Sequence, residues 1–152
     1  MRQRRVPDIV SDEPQNAYGL FKTGCRFLDQ RHPGQAVMYL ERALRLAPEK
    51  TSIREALGRA YFALGQYGSA ADAFFEVARR APANDYAHYA LGRALLEKGD
   101  VRGAQSALRL AVAMAPANEE YRQALTRCLA GQGDPKIGEV DVGGLDASGG
   151  GD

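Results

Sequence analysis

The 152-residue sequence lacks the features of a metal-binding or disulfide-stabilised domain. It has no tryptophan, and its two cysteines, Cys25 and Cys128, lie far apart. Neither cysteine belongs to a CxxC pair or has a histidine at ligand spacing, so no zinc-type ligand set is present. Two scattered thiols also differ from the cysteine framework of small secreted domains. We therefore expect a cytoplasmic protein without a bound metal.

Long apolar runs and an excess of charge of one sign are also missing. No stretch approaches the roughly 18 apolar residues that read as a membrane span. The basic N-terminus is followed by no apolar segment, which argues against a signal peptide. The 20 Lys and Arg residues nearly balance the 19 Asp and Glu residues, and the net charge is +1. Overall charge therefore indicates no particular class of partner.

Catalytic constellations are absent as well. The two histidines, His32 and His88, have no neighbouring ligand or nucleophile at a catalytic spacing. Neither a nucleophile elbow nor a zinc-protease motif occurs. The glycine-rich runs follow no predicted strand and open no predicted helix, so they are not phosphate-binding loops. We expect no enzymatic activity and no cofactor.

Charge and glycine are unevenly distributed along the chain. Residues 132–152 carry one lysine and five acidic residues, and eight of the 17 glycines lie between Gly131 and Gly151. This composition predicts a disordered Gly/Asp-rich acidic tail over 132–152 and a disordered N-terminal arm over 1–16. The remaining body has a net charge of +5. We expect the tail to act as a weak intramolecular competitor for that body.

A constant repeat period runs through the middle of the chain and defines three units of equal length, 17–50, 51–84 and 85–118. Within each unit, apolar residues follow the spacing of two amphipathic helices, A and B. Small residues recur where the two helices would meet, and a proline ends helix B. The recurring small residues and prolines are Gly24, Gly58 and Gly92, then Ala36, Ala70 and Ala104, then Pro48, Pro82 and Pro116.

Polar residues mark the helix starts. Asn16, Asn84 and Asn118 each precede a predicted helix A, where an asparagine side chain can cap the helix. Lys50 breaks this pattern, and the segment from Ser52 to Glu55 offers a capping box instead.

The lattice of the second unit, with Leu57, Gly58, Tyr61, Ala70, Phe74 and Pro82, resembles the tetratricopeptide repeat family, and the other two units repeat it. Arg54 and His88 depart from the large apolar residue that the family has at the fourth position. The resemblance implies an all-α fold: a right-handed α-solenoid of three antiparallel helix pairs plus a capping helix, in a domain over 17–131. Residues 119–130 are expected to form the capping helix, with Tyr121, Leu125, Cys128 and Leu129 facing inward.

The resemblance also implies that helix A of each unit lines a concave surface. Arg59, Arg93 and Arg127 are separated by the repeat period and would form a row along it. Arginine flanked by aromatic residues is typical of binding hot spots. Two alternatives stay open: the arginines pair with Glu55 and Glu97 along the same helix, and the tyrosines pack against neighbouring helices. The residues expected to line the surface are Tyr18, Phe21, Cys25, Leu28, Glu55, Arg59, Phe62, Tyr86, Tyr89, Arg93, Leu96, Glu97 and, from the capping helix, Arg127.

The function expected from this surface is non-enzymatic binding of a peptide or helix of a partner protein, through acidic and apolar anchors. Two alternatives are single-stranded nucleic-acid binding and a self-associating or secretion-chaperone-like scaffold. The family members that hold the C-terminal carboxylates of heat-shock chaperones use lysine, asparagine and arginine at positions where this chain has none of them. That particular ligand is therefore not expected. The corresponding residues are Phe21, Cys25, Ala56, Tyr86 and Ala90.

Overall fold

A computed structural model describes residues 15–132, and this range consists of seven α-helices with no β-strand. Each helix packs against the one before it and the one after it. Short loops join consecutive helices, so neighbours run antiparallel. The predicted all-α helical repeat fold is confirmed. The helices are α1 Ala17–Asp29, α2 Pro33–Leu46, α3 Thr51–Ala63, α4 Tyr67–Arg80, α5 Asp85–Lys98, α6 Val101–Met114 and α7 Glu119–Gln132.

The three periodic glycines hold the two helices of each repeat in close contact. A Cβ atom on Gly58 would lie 2.7 Å from Cζ of Phe74, and one on Gly92 would lie 2.6 Å from Cγ of Leu108. Gly24 has the same relation to Leu40, at 2.6 Å. Distances this short cannot be accommodated without moving a buried side chain. The repeat period therefore records a packing requirement inside each repeat.

Asparagine residues cap the starts of α1, α5 and α7, as predicted. Each cap accepts a hydrogen bond from the backbone N–H three residues later, which satisfies one of the free donors of the first turn. The three caps are Asn16, Asn84 and Asn118, at 2.7, 3.1 and 3.2 Å.

The capping box predicted for α3 is wrong. The helix already begins at Thr51, and the residue at its N-cap, Lys50, makes no side-chain capping hydrogen bond. Glu55 instead accepts a hydrogen bond from Nδ2 of Asn84 at 3.2 Å. The sequence pattern predicted that the Glu55 carboxylate caps the start of its own helix. In the structure it binds a residue of the next repeat instead.

The polar residues at the fourth position of helix A make a repeated contact between units. A side-chain nitrogen of Arg54 donates to the carbonyl oxygen of Pro48 at 3.0 Å, and Nε2 of His88 donates to that of Pro82 at 3.0 Å. In α7, Arg122 donates to Pro116 at 2.5 Å. These residues replace an apolar contact by a hydrogen bond to the loop that follows the preceding helix B.

Helix α7 covers the open end of the third repeat, as expected of the capping helix. Tyr121, Ala124 and Cys128 are buried, and Leu125 is half-buried. The expectation that Leu129 faces inward is wrong, because 40% of its surface is exposed. One residue step turns an α-helix by about 100°, so the position after the buried Cys128 points away from α6.

Some expectations concern parts of the chain that the structure does not describe. The predicted disorder of 1–16 and 132–152 falls almost entirely outside residues 15–132, and so does the predicted competition by the tail. Within the described part of the chain, no helix is long and apolar enough to cross a membrane. The same part contains no group of three His, Cys, Asp or Glu residues placed to hold a metal ion.

Candidate functional site

The odd-numbered helices form the inner side of the solenoid. Direct packing between alternate helices joins α1 to α3 and α5 to α7. These helices therefore lie closer together than the even-numbered ones, as they do on the inside of a curved stack. We call their shared surface the inner face. It carries the residues predicted to line the concave surface, which we also call the groove.

At its N-terminal end the inner face has an open pocket of about 280 Å³. Tyr18 and Phe21 from α1 form one side, and Lys50 and Ile53 form the other. Tyr18 is 69% exposed, and Nζ of Lys22 lies 5.4 Å from the centre of its ring. The pocket thus combines the predicted aromatic residues Tyr18 and Phe21 with lysine side chains that the sequence pattern did not indicate.

A second pocket, of about 160 Å³, lies between α3 and α5 and is lined by both aromatic and arginine side chains. The guanidinium carbon of Arg93 lies 4.7 Å from the ring centre of Phe62 and 5.7 Å from that of Tyr89. Two ring faces therefore orient this guanidinium through cation–π contacts, while the side chain stays exposed. The lining residues are Arg59, Phe62, Phe74, Tyr86, Tyr89, Ala90 and Arg93.

A third pocket, of about 190 Å³, adjoins the second and lies against α7. Arg93 lines both pockets, and Arg127 closes the far side of the third. Its apolar wall contains Leu96, Leu108 and Ala124, and Glu97 also contributes. The arginine row predicted from the sequence therefore spans two connected pockets.

None of the three arginines is neutralised by a carboxylate within residues 15–132. The salt bridges in this range join Glu76 to Arg79 at 2.5 Å and to Arg80 at 2.6 Å, both within α4. The alternative of ion pairs along the helix, between Glu55 and Arg59 and between Arg93 and Glu97, does not hold. Unpaired guanidiniums beside apolar walls can grip a carboxylate with two hydrogen bonds.

Tyr89 is placed differently from an exposed anchor. It is 4% exposed, its ring stacks on Tyr121 at 4.6 Å, and its hydroxyl donates to Glu120 at 2.8 Å. Burial and the bond to Glu120 both raise its pKa, so the hydroxyl stays protonated. The alternative that tyrosines pack against a neighbouring helix is thus confirmed for Tyr89, which supplies pocket wall only.

Tyr86 is half-buried and keeps part of its ring at the second pocket. Its ring meets that of Phe74 edge-on, with centres 6.3 Å apart. Burial raises the pKa of Tyr86, and the nearby Arg59 acts in the opposite direction. Tyr86 therefore offers a neutral ring beside a cation.

Three of the predicted residues line none of these three pockets. Cys25 and Leu28 are half-buried against the core cluster around Leu40 and Leu57. Burial raises the pKa of the Cys25 thiol, and Arg59 partly offsets this. Glu55 is bound to Asn84. These side chains belong to the packing between repeats more than to the open surface.

Sequence reasoning missed the small residues that make room for the pockets. Ala90 and Ala124 form walls of the second and third pockets. Ala56 has the same place in the second unit, and all three alanines are buried. They recur at the repeat period, so the signal was present in the lattice, at the sixth position of helix A.

Comparisons with known proteins agree with this architecture. Residues 21–86 match a family model described as tetratricopeptide repeat, and residues 62–128 match a second model with the same description. Together the two matches span more than two thirds of the chain. Among proteins with curated descriptions, no sequence matches this chain.

Solved structures share the fold at low sequence identity. The crystal structure of MamA has a TM-score of 0.77 and 22% identity, covering 86% of this chain and 76% of that one. A MamA chain from Desulfovibrio magneticus RS-1 has a TM-score of 0.76 and 23% identity, with 90% and 78% covered. The first TPR of Spaghetti (RPAP3), bound to the HSP90 peptide SRMEEVD, has a TM-score of 0.74 and 17% identity, with 78% and 94% covered. At these identities the likeness shows a shared fold.

Proposed function

Because the chain belongs to the tetratricopeptide repeat family, we propose that it is a non-catalytic module that binds a peptide or helix of a partner protein along its inner face. The observation that carries this proposal is the unpaired arginine row. Arg59, Arg93 and Arg127 lie beside aromatic and apolar walls, and no carboxylate of residues 15–132 pairs with them. Such a surface is suited to a segment with acidic and apolar side chains.

The arginine residues and the apolar residues of the inner face are suited to different side chains of the ligand. Arg93 is held by two rings, so it loses little side-chain entropy when it takes a carboxylate. The apolar part of the second pocket, around Phe62 and Phe74, takes an adjacent apolar side chain. Pockets of about 160 to 280 Å³ are smaller than the roughly 300–1,000 Å³ typical of cofactor sites. They fit separate side chains of one extended or helical segment.

A structural neighbour supports the ligand class and limits the analogy. The first TPR of Spaghetti (RPAP3) is bound to an HSP90 peptide with an acidic sequence. This chain has Phe21, Cys25 and Tyr86 at positions where chaperone-binding relatives carry basic or amide residues. We therefore propose an acidic–apolar peptide, gripped by this chain's own arginine row, rather than that particular peptide.

Nucleic-acid binding has less support from the site. Single-stranded bases bind by stacking on accessible aromatic rings. Tyr89 is buried, and one face of Phe62 is covered by Arg93. Tyr18 is the one strongly exposed aromatic side chain among the predicted groove residues. The inner face therefore offers no row of free rings.

Self-association is a second candidate, supported by an apolar pocket of about 390 Å³ between α4 and α6, on the outer side. Phe75 and Leu110 line it and are 57% and 51% exposed. One repeat earlier, the same two positions hold Glu41 and Glu76, so the equivalent junction between α2 and α4 is charged there. A monomeric mass by light scattering at high protein concentration would reject this candidate.

Selection from a displayed random peptide library tests the main proposal. The full chain is used to select peptides, and the affinity of the enriched peptides is measured by calorimetry. We expect enrichment of segments that combine acidic and apolar residues. The double substitution Arg59→Glu/Arg93→Glu should weaken their binding at least tenfold.

The matched control is Arg102→Glu/Arg109→Glu, which makes the same charge change at exposed positions of α6. It should retain most of the affinity. If no peptide is enriched, or if both double variants lose affinity equally, the inner face is not the binding site proposed.

A further inference from the structure

The sequence continues from the end of α7 into an acidic segment. Residues 15–132 contain 16 Lys and Arg residues against 11 Asp and Glu residues, a net charge of +5. Residues 133–152 have one lysine and five acidic residues, a net charge of −4. The two parts are therefore complementary in charge.

Arg127 is the basic residue of α7 closest in sequence to the start of this segment, and it pairs with no carboxylate of residues 15–132. The segment continues from α7, whose last residue, Gln132, lies five residues after Arg127. At about 1.5 Å per residue, this is a distance of about 7 to 8 Å along the helix axis. Arg127 and Arg93 line the third pocket and pair with no carboxylate of residues 15–132.

Chain length allows the segment to reach along the inner face. Twenty residues extend to at most about 66 Å, whereas packed helices are separated by about 8–10 Å. The segment is therefore long enough for its acidic groups to reach both Arg127 on α7 and Arg93 on α5. Tethering through a short linker produces effective concentrations of about a millimolar, so even weak contacts become populated.

The pattern of the segment fits this location. Glu139, Val140, Asp141 and Val142 alternate acidic and apolar residues. In an extended chain, alternate side chains share one side and are about 7 Å apart. Glu139 and Asp141 can thus face two guanidiniums on neighbouring helices at once. The third pocket adds apolar wall from Leu96 and Ala124.

We propose that residues 133–152 dock into the third pocket of the same molecule, with carboxylates on Arg93 and Arg127, and so compete with the partner peptide. The statement that the segment competes with a partner peptide rests on the proposed function, whereas the docking itself does not. Glu97 lines the same pocket and repels the segment. The contact is therefore weak and salt-sensitive, and a better-matched partner displaces it.

The docking is tested on the full chain by NMR of the arginine Nε–Hε groups. The comparison variant is Asp134→Asn/Glu139→Gln/Asp141→Asn/Asp146→Asn, which keeps the chain length and shape. We expect the signals of Arg93 and Arg127 to differ between the two proteins in about 50 mM salt and to converge in about 0.5 M salt. The signal of Arg45, which is exposed on α2 at the other end of the helix stack, should not change.

Each result decides the matter. Identical Arg93 and Arg127 signals would overturn the docking, even if library peptides bind the inner face. Signals that differ only at high protein concentration would also overturn it, because the contact would then come from a second copy. The competition is measured separately: the neutralised variant should bind a selected peptide at least threefold more tightly, and equal affinity would overturn that part. Failure to select any peptide would count against the proposed function and leave the NMR result standing.

Discussion

The rings of Tyr89 and Tyr121 stack with centres 4.6 Å apart and planes 23° apart, and each hydroxyl bonds to a carboxylate on the other's helix. Tyr89 on α5 donates to Glu120 on α7, and Tyr121 on α7 donates to Asp85 on α5, both at 2.8 Å. This reciprocal pair fixes α7 against α5. Because Arg93 and Arg127 are carried by these two helices, the pair also sets the geometry of the third pocket.

The substitution Tyr121→Phe should loosen the capping helix without unfolding the protein. It keeps the ring stacking and removes one hydrogen bond to Asp85. A hydrogen bond to a charged group contributes about 1.5–3 kcal/mol, and because Asp85 is only half-buried we expect about 1 kcal/mol here. Chemical denaturation measures the change. Tyr18→Phe, at a position 69% exposed, is the control and should be neutral.

The reactivity of the Cys128 thiol measures the opening of α7 separately from global unfolding. Cys128 of α7 is fully buried against α6, and burial raises its pKa, so it should react with a thiol reagent only when the helix opens. In a Cys25→Ser background, Tyr121→Phe should raise the labelling rate about fivefold, which corresponds to about 1 kcal/mol. An unchanged rate with a lowered global stability would show that α7 does not open separately.

Alkaline pH should destabilise the fold through its bonded tyrosines. Burial and the hydrogen bond to Glu41 raise the pKa of Tyr61 to about 12, and burial followed by a carboxylate bond raises the pKa of Tyr89 and Tyr121. The unfolded chain releases these protons first, near pH 10. The stabilisation is therefore complete below about pH 10 and is lost as the pH rises towards 12.

Urea midpoints at pH 9, 10.5 and 11.5 measure this loss. Tyr121→Phe should show a smaller decline over that interval than the wild-type chain, because one of the shifted groups is gone. A parallel decline in both proteins would mean that other groups, such as lysines, cause the alkaline unfolding.

Gly58→Ala should destabilise the second repeat although alanine favours helices. The added Cβ would approach Phe74, which is 2% exposed and cannot move aside, so overpacking of about 1–3 kcal/mol outweighs a helix-propensity gain of about 1 kcal/mol. Gly68→Ala in α4 is the control, because nothing lies within 4 Å of its added Cβ. Thermal melts should show a lower midpoint for the first variant and an equal or higher one for the second.

The repeat lattice predicted those parts of the fold that depend on spacing along the chain. Gly92 and Ala104 meet within one repeat, so the periodic recurrence of both residues revealed the two helices and their close approach. The same logic located the arginine row. The repeat lattice also contains the buried alanines that line the pockets, such as Ala90. Alanine is common, so its recurrence at one position does not by itself indicate a pocket wall.

Contacts between repeats were harder to predict, since local and distant partners compete for one side chain. Glu55 fits a capping box in its own helix but binds Asn84, 29 residues later. Tyr89 has the spacing of a groove residue, yet its environment is decided by Tyr121 in the capping helix. Such choices depend on three-dimensional distance, which a linear pattern does not contain.

The substitution Arg54→Leu should stabilise the protein. Nε of Arg54 is buried without a hydrogen-bond partner, a state that costs about 1–3 kcal/mol. The hydrogen bond that would be lost goes to the carbonyl of Pro48, which also receives Nη1 of Arg80 at 3.4 Å. The balance favours leucine by about 0.5–1 kcal/mol. Leu20, at the same position of the first repeat, is 1% exposed, which shows that leucine packs there.

His88→Leu is the matched control. It breaks the equivalent hydrogen bond to Pro82 without removing a buried unpaired nitrogen, so its melting midpoint should not rise. A fall in the midpoint of Arg54→Leu would show that the bond to Pro48 contributes more than the unpaired nitrogen costs.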